Sequence, residues 1–327
     1  MRSAFIRSLT ELARQDSRIF LLVGDLGYSV VEPFRDQFPD RFVNVGVAEQ
    51  NLTGLAVGLA LSGKIVFTYS IANFPTLRGL EQIRDDACYH RANVKIVAVG
   101  GGLAYGALGA THHGTEDVAI LRALPGMTVV TPADPVETAL ATRAVAAWPG
   151  PCYLRLGKAG EAAIHTAPPE FQIGRPIELR RGRDALILAS GPVARNALLA
   201  AEKLSEAGIA VGVYSVPTVK PLDEGFVRAL ARQTPALFVV EEHSLIGGLG
   251  GAVAELVAEM EGARPLVKRL ALPDSFCAVG SQEFLRAPYL SVDALTLRIQ
   301  QVITPGREPE AVSEERREAL SAWSTGR

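Results

Sequence analysis

Short runs of apolar residues alternate with amphipathic stretches along most of the chain. In the first half, the apolar runs predict strands at 19–23, 42–45, 64–69, 94–99 and 127–131. The stretches between them predict helices at 4–14, 48–61, 77–89, 117–124 and 135–147. Apolar strands that alternate with helices are typical of a parallel sheet that is covered on both faces.

The same alternation returns in the second half after an interruption. Residues 162–176 (AAIHTAPPEFQIGRP) contain three prolines and no periodicity, which is typical of a linker. Strands are then predicted at 185–188, 210–216, 236–240 and 266–270, with helices at 194–207, 223–232 and 250–260. We therefore expect an α/β protein with two doubly wound, mostly parallel-sheet domains. The predicted division is 1–165 for the first domain, 166–180 for the linker, 181–305 for the second domain and 306–327 for a polar tail.

Composition and charge narrow the function classes. The chain has 327 residues, of which 48% are hydrophobic and 21% charged, enough apolar material for two cores. A net charge of -2 gives no basic excess for a nucleic-acid backbone. No apolar run approaches the roughly 18 residues that span a membrane, and the charged N-terminal segment lacks the pattern of a signal peptide. Three widely separated cysteines (Cys88, Cys152 and Cys277) favour a reducing, cytoplasmic location.

Unusual residues follow several predicted strands, at the edge of a parallel sheet where ligands bind. Glu49 begins an apolar helix after the second strand, and its position fits both a helix cap and a catalytic carboxylate. The glycines at 100–102 follow the fourth strand and lead to Thr111-His112-His113. In the second domain, Glu241-Glu242-His243 precedes a glycine cluster at 247–251, whose spacing does not fit a dinucleotide-binding fingerprint.

Residues 44–52, Asn-Val-Gly-Val-Ala-Glu-Gln-Asn-Leu, resemble the glutamate motif of the transketolase family of thiamine-diphosphate enzymes. The resemblance extends, in the family's order, over 109–114, 116–120, 122–129, 132–134, 241–243, 273–276 and 280–281. It implies a pyrimidine-binding domain at 1–165 and the family's C-terminal domain at 181–305. It also implies a transferase that moves a two-carbon ketol unit from a ketose donor to an aldehyde acceptor.

The resemblance assigns roles to individual residues. Glu49 aligns with the glutamate that hydrogen-bonds N1′ of the aminopyrimidine ring and favours the imino tautomer, which activates the thiazolium carbon. His112 aligns with a histidine that contacts substrate and intermediate oxygens. Tyr69 and Phe74 are the two candidates for the aromatic ring that stacks on the pyrimidine, and Asp25 is a further candidate for cofactor contact.

Three more residues are substrate-binding candidates by the same resemblance. His113 stands where the family usually has glutamine, and Arg7 and Arg155 fall near family arginines that hold a substrate phosphate. For His243, a structural or interface role is more consistent with its motif than catalysis.

The sequence departs from the family pattern at substrate and cation positions. Residues 106–109 lack the acidic residue that contacts a sugar hydroxyl in sugar-phosphate transketolases, and Gly100 replaces a phosphate-binding histidine. Donor and acceptor therefore stay open.

No Gly-Asp-Gly motif with a following asparagine is present, so no metal ligands are assigned to this chain. We expect Mg²⁺ and the cofactor diphosphate to be bound by a separate, diphosphate-binding subunit. The chain also begins where the family's pyrimidine domain begins, which favours the C-terminal subunit of a split transketolase in an α2β2 assembly.

Alternatives remain at this stage. The β subunit of a 2-oxo acid dehydrogenase decarboxylase has the same two domains, and a 1-deoxyxylulose-phosphate-synthase-like enzyme shares the Thr-His motif. A non-catalytic regulatory or scaffold subunit is the alternative from another class, against which the presence of Glu49 and His112 argues.

Overall fold

The computed structural model describes residues 1–304. The predicted polar tail at 306–327 lies outside the described residues. Within residues 1–304, no helix combines the length and the apolar character needed to cross a membrane. Two sheets, each flanked by helices, make up the described part of the chain.

The first sheet has seven strands. They are β1 (Ile19–Val23), β2 (Phe42–Asn44), β3 (Ile65–Ile71), β4 (Val94–Val99), β5 (Thr128–Val130), β6 (Cys152–Leu156) and β10 (Thr218–Lys220). Their order is β10-β5-β6-β4-β3-β1-β2, and every neighbouring pair is parallel except β10 with β5. All residues of β4 and β6 are buried, as expected for central strands of a sheet with helices on both faces.

The helices of the first half cover this sheet. They are α1 (Arg2–Gln15), α2 (Glu32–Gln37), α3 (Glu49–Leu61), α4 (Leu80–Gln82), α5 (Asp117–Ala123) and α6 (Pro135–Ala147). Two π-helical segments, Phe74–Arg78 and Ile83–Cys88, flank α4. α6 begins as its sequence dictates: Asp134 accepts a hydrogen bond from the Glu137 N–H, and Pro135 occupies the first turn, where no backbone donor is needed.

The second sheet has five strands. They are β7 (Ile177–Arg180), β8 (Ala185–Ser190), β9 (Val211–Ser215), β11 (Ala236–Ser244) and β12 (Leu266–Leu272), in the order β12-β11-β8-β9-β7. Only β7 is antiparallel to its neighbour. The accompanying helices are α7 (Ala194–Glu206), α8 (Glu224–Arg232), α9 (Leu249–Ala258), α10 (Gln282–Leu290) and α11 (Val292–Ile303).

The predicted fold class is confirmed, because both sheets are mostly parallel and alternate with helices. The hydrophobic pattern did not predict β6, β7, β10, α2, α10 or α11. β7 lies within the predicted linker 166–180 and pairs with β9, so the stretch without helix or strand is 157–176.

The two halves are joined through a shared edge strand and a shared core. β10 follows the second sheet's β9 in the chain but pairs with β5 of the first sheet. Apolar side chains from both halves, among them Leu121, Val129, Val219 and Leu249, belong to one buried cluster. The second half therefore packs firmly against the first, close to the loops that follow β4 and precede α5.

Candidate active site

Glu49 is the first residue of α3 and lies just beyond the end of β2. Its neighbours Leu52, Ala56 and Val57 pack into the core, which places the start of the helix against apolar residues. The Glu49 side chain is only 4% exposed. Because a helix N-terminus favours a negative charge, the fold stabilises a buried carboxylate at this position.

Arg78 is the hydrogen-bond partner of the Glu49 carboxylate. Its Nη1 lies 3.4 Å from Oε1 and 3.3 Å from Oε2 of Glu49. The arginine side chain is 56% exposed and these distances are long, so the interaction is weak. A carboxylate has about four acceptor positions, and Glu49 therefore retains the capacity to bind a further donor.

Arg78 begins a continuous row of aromatic and cationic side chains. Its Cζ lies 4.9 Å from the ring centroid of Phe74, whose ring meets that of His112 edge-to-face at 5.0 Å. The His112 ring lies 6.2 Å from Tyr105, over which Lys158 Nζ lies at 4.7 Å. We call this set, together with Glu49, the active-site row: Glu49, Arg78, Phe74, His112, Tyr105 and Lys158.

His112 is held at the tip of a loop by its neighbours. The buried Asn73 side chain donates to the carbonyls of Ala110 at 3.4 Å and Thr111 at 3.5 Å, and also to that of His113. The His112 Nδ1 lies 2.9 Å from Thr111 Oγ1. Partial burial lowers the pKa of His112, and the neighbouring His113 lowers it further. His112 is therefore neutral at pH 7 and can exchange a proton with a ligand oxygen.

His113 points away from this row. Its side chain is buried, and Nε2 donates to the carbonyl of Gly106 at 3.1 Å. The structure thus gives His113 a role in shaping the loop, whereas contact with substrate was predicted.

The two candidate stacking aromatics lie in different environments. Phe74 is half-buried in the active-site row, next to His112. Tyr69 lies in β3, is 3% exposed and stacks on Phe5 at 5.9 Å in the core. Burial raises the pKa of Tyr69. The geometry therefore favours Phe74 as the ring available to a cofactor.

Asp25 lies at the end of β1, on the same sheet edge as Glu49. Its carboxylate accepts hydrogen bonds from Asn44 Nδ2 at 3.0 Å and from the Tyr28 hydroxyl at 2.9 Å. These bonds, first from Asn44 and then from Tyr28, lower the pKa of Asp25. Asp25 is thus already engaged within the chain, and its predicted contact with a cofactor stays a prediction.

The predicted arginines are not part of the active-site row. Arg7 is exposed on α1. Arg155 is buried in β6, where Nε donates to Asp117 Oδ2 at 2.8 Å and Nη2 donates to the Gly114 carbonyl at 2.6 Å. Its guanidinium is committed to the interior, so the structure gives Arg155 a different role from the predicted contact with substrate.

His243 lies at the junction of the two halves. Its Nδ1 donates to the carbonyl of Ser244 at 2.8 Å, which leaves Nε2 to accept the Ala119 N–H at 3.2 Å. This placement agrees with the predicted structural or interface role.

Sequence reasoning missed Asn73, Arg78, Tyr105 and Lys158. Arg78 follows Phe74 by four residues, a spacing that places two side chains on one face of a helix and so could have indicated the pair. The Asn73 and Lys158 contacts join segments far apart in the chain, and no local pattern announces them. Among residues 1–304, no group of three or more His, Cys, Asp or Glu side chains could hold a metal ion.

Comparisons with known proteins agree with the site's composition. A family model described as transketolase, pyrimidine binding domain, matches residues 1–160, and one described as transketolase, C-terminal domain, matches residues 174–294. One of the two subunits of the apulose-4-phosphate transketolase of Phocaeicola vulgatus is 39% identical, with 88% of this chain and 92% of that protein aligned. The 6-deoxy-6-sulfo-D-fructose transketolase subunit SqwH of Clostridium sp. is 39% identical, over 88% of this chain and 89% of that protein.

A solved structure shares the whole arrangement. It is described as a split gene transketolase, inactive beta4 tetramer, and it superposes with a TM-score of 0.84 at 38% identity. The match covers 94% of this chain and 98% of that one.

Proposed function

The chain belongs to the transketolase family, and from that premise we propose that it is the pyrimidine-binding and C-terminal subunit of a thiamine-diphosphate-dependent split transketolase. The enzyme transfers a two-carbon ketol unit from a ketose donor to an aldehyde acceptor. Relatives that are themselves named as transketolase subunits, and that align over nearly their full length, support this assignment over a decarboxylase or a scaffold.

The observation that carries the proposal is the buried carboxylate of Glu49 in the active-site row. An uncompensated buried carboxylate is costly, and the long contact with the half-exposed Arg78 compensates it only weakly. A ring nitrogen that shares a proton with Glu49 would complete the set of partners. The aromatic face of Phe74 and the neutral His112 lie along the same row.

These residues fit the aminopyrimidine end of thiamine diphosphate. When bound, the cofactor supplies the carbon nucleophile that carries the two-carbon unit. Glu49 holds a proton at N1′ of the ring, Phe74 provides an apolar surface for it, and His112 exchanges protons with substrate oxygens. Asn73 keeps His112 in place through the loop carbonyls.

A separate subunit is expected to bind the diphosphate and Mg²⁺. The sequence lacks the family's Gly-Asp-Gly motif, and the relatives above are described as subunits or as split-gene products. An α2β2 assembly would place the cofactor between this chain and the diphosphate-binding subunit. Buried, unpaired cysteines are compatible with the cytoplasm as the location.

Calorimetric titration of thiamine diphosphate and Mg²⁺ tests this division of labour. We expect no measurable binding to the purified chain alone, and binding once the diphosphate-binding subunit is added, because a diphosphate without its cation site is poorly compensated. The matched control is the diphosphate-binding subunit alone. Tight, Mg²⁺-dependent binding by this chain alone would contradict the split-site proposal.

Two cations flank His112 and suggest an anionic substrate. Arg78 lies on the Phe74 side of His112, and Lys158 lies on the Tyr105 side. Both are exposed, unlike Arg155. We therefore assign the charged end of the substrate to Lys158 and Arg78 in place of Arg7 and Arg155.

Lys158→Met is expected to raise KM for a phosphorylated or sulfonated substrate about tenfold, since a hydrogen bond to a charged group contributes about 1.5–3 kcal/mol. The value of kcat should change little. Lys64→Met is the matched control, because Lys64 also lies over an aromatic ring, 5.5 Å from Phe20, but outside the active-site row. Equal KM values for both variants would exclude Lys158 from substrate binding.

A further inference from the structure

Glu242, near the end of β11 in the second half, reaches into the glycine-rich loop of the first half. Its side chain is 4% exposed. Oε1 accepts the backbone N–H of Leu103 at 2.7 Å and Nε2 of Gln282 at 2.8 Å. Arg286 Nη1 lies 3.3 Å from Oε2. A buried carboxylate with these partners is held in one position, so it fixes the main chain at Leu103.

Gly102 makes this approach possible. Its φ is +66°, and a Cβ at this position would lie 2.7 Å from Glu242 Oε1 and 2.8 Å from its Cγ. Any larger residue would push the carboxylate away from the loop. The glycine thus provides room for a side chain of the second domain, as well as a backbone conformation that favours glycine.

The loop transmits this position towards His112. Gly102 and Gly114 exchange two backbone hydrogen bonds, with N···O distances of 2.7 Å and 2.9 Å. Gly114 lies two residues after His112, and the carbonyl of Gly114 also accepts from Arg155. Arg155 Nη2 lies 3.1 Å from the Glu242 carbonyl as well, so Glu242 and Gly114 share one anchor.

We propose that Glu242 is a positioning residue for His112: the second domain fixes the proton-exchanging histidine through Leu103 and the Gly102–Gly114 pair. This inference rests on the proposed function, since it assigns His112 to the reaction. It gives the Glu-Glu-His motif of the second domain a purpose in the active site of the first.

Glu242→Ala is expected to lower kcat of the reconstituted enzyme about ten- to hundredfold, because a displacement of about 1 Å can cost that much. The affinity for thiamine diphosphate, which does not involve His112, should stay within about twofold of wild type. Glu241→Ala is the matched control: Glu241 is equally buried, but its carboxylate accepts the N–H groups of Leu249 and Gly250 at the start of α9. Glu241→Ala should lower the melting temperature and leave kcat at 25 °C nearly unchanged.

Hydrogen exchange measured by mass spectrometry separates positioning from general destabilisation. We expect faster exchange at 103–115 in Glu242→Ala only, and near 249–258 in Glu241→Ala only. Glu242→Gln keeps an oxygen that can accept from Leu103 and should restore most of kcat. Should Glu242→Ala fail to fold, Glu242→Met keeps the side-chain length without an acceptor and carries the same expectation.

Two outcomes overturn the proposal. One is equal exchange at 103–115 in the Glu242 and Glu241 variants, and the other is a normal kcat in Glu242→Ala. If the wild-type complex itself transfers no ketol unit, the proposed function fails, whereas the exchange experiment still reports whether Glu242 fixes the loop.

Discussion

Replacing Glu49 by glutamine is expected to lower kcat of the reconstituted enzyme by at least about a hundredfold, the scale of a lost general acid or base. Glutamine has the same shape, but it cannot share a proton with N1′ of the cofactor ring as a carboxylate does. KM for the substrates should change much less than kcat, because Glu49 lies at the cofactor end of the active-site row. The measurement is the steady-state rate of the two-subunit enzyme at saturating thiamine diphosphate and Mg²⁺.

The folded chain should tolerate this change. The ion pair with Arg78 is long and half-exposed, and a charge at a helix N-terminus contributes about 0.3–1 kcal/mol. The melting temperature of Glu49→Gln should therefore lie within a few degrees of wild type, at about 4 °C or less per kcal/mol for a chain of this size. Loss of activity through unfolding is thereby distinguished from loss of chemistry.

Glu224→Gln is the matched control. Glu224 is also the first residue of its helix, α8, and also pairs with an arginine, with Arg228 Nη1 at 3.0 Å. It lies in the second half, outside the active-site row. Turnover of Glu224→Gln should be normal; near-normal turnover of Glu49→Gln as well would remove the basis of the proposed function.

The strands that the sequence predicted are those whose apolar runs are uninterrupted. β1 and most of β4 are apolar and buried throughout, and the hydrophobic effect alone makes them strands. β6 (CYLRL) was missed because Arg155 interrupts its run. That interruption is tolerated only because Asp117, 38 residues earlier, lies beside the guanidinium. Sequence patterns do not reveal such a pairing.

Within the site, the sequence predicted the residues that belong to contiguous motifs. Glu49 and His112 each lie in a run that resembles a family motif, and the structure places both in the active-site row. Lys158 belongs to no such run, and its position depends on Tyr105, 53 residues earlier in the chain. β10 shows the same limit for the fold, since three residues near the end of one sheet's strand become the edge of another sheet.

The Arg155–Asp117 pair should dominate the stability of the described core. Both side chains are buried, and Asp117 Oδ2 accepts from Arg155 Nε at 2.8 Å and from the Tyr153 hydroxyl. Burial alone would raise the pKa of Asp117, but Arg155, then His243, and the hydrogen bonds together lower it. A carboxylate in this position stays charged, and it depends on the guanidinium for compensation.

Arg155→Met is therefore expected to lower the free energy of unfolding by about 3–5 kcal/mol, the cost of leaving a buried charge unpaired. The double variant Arg155→Met/Asp117→Asn should be less destabilised than the sum of the single variants, since it leaves no buried charge uncompensated. Urea unfolding followed by circular dichroism measures all three. Arg181→Met is the control, because Arg181 pairs with Glu178 at 2.8 Å while 92% exposed, and it should cost less than about 1 kcal/mol.

The pH dependence of unfolding gives this prediction an independent sign. Because folding lowers the pKa of Asp117, its contribution to stability is present above the pKa of the unfolded chain, about 3.9, and is lost as the pH falls through the folded value. Wild type should lose this contribution in acid, whereas Arg155→Met should gain stability relative to wild type there, because protonation removes the unpaired charge. An Arg155→Met penalty that is equally small at pH 7 and in acid, and no larger than that of Arg181→Met, would mean that the pair does not hold this core together.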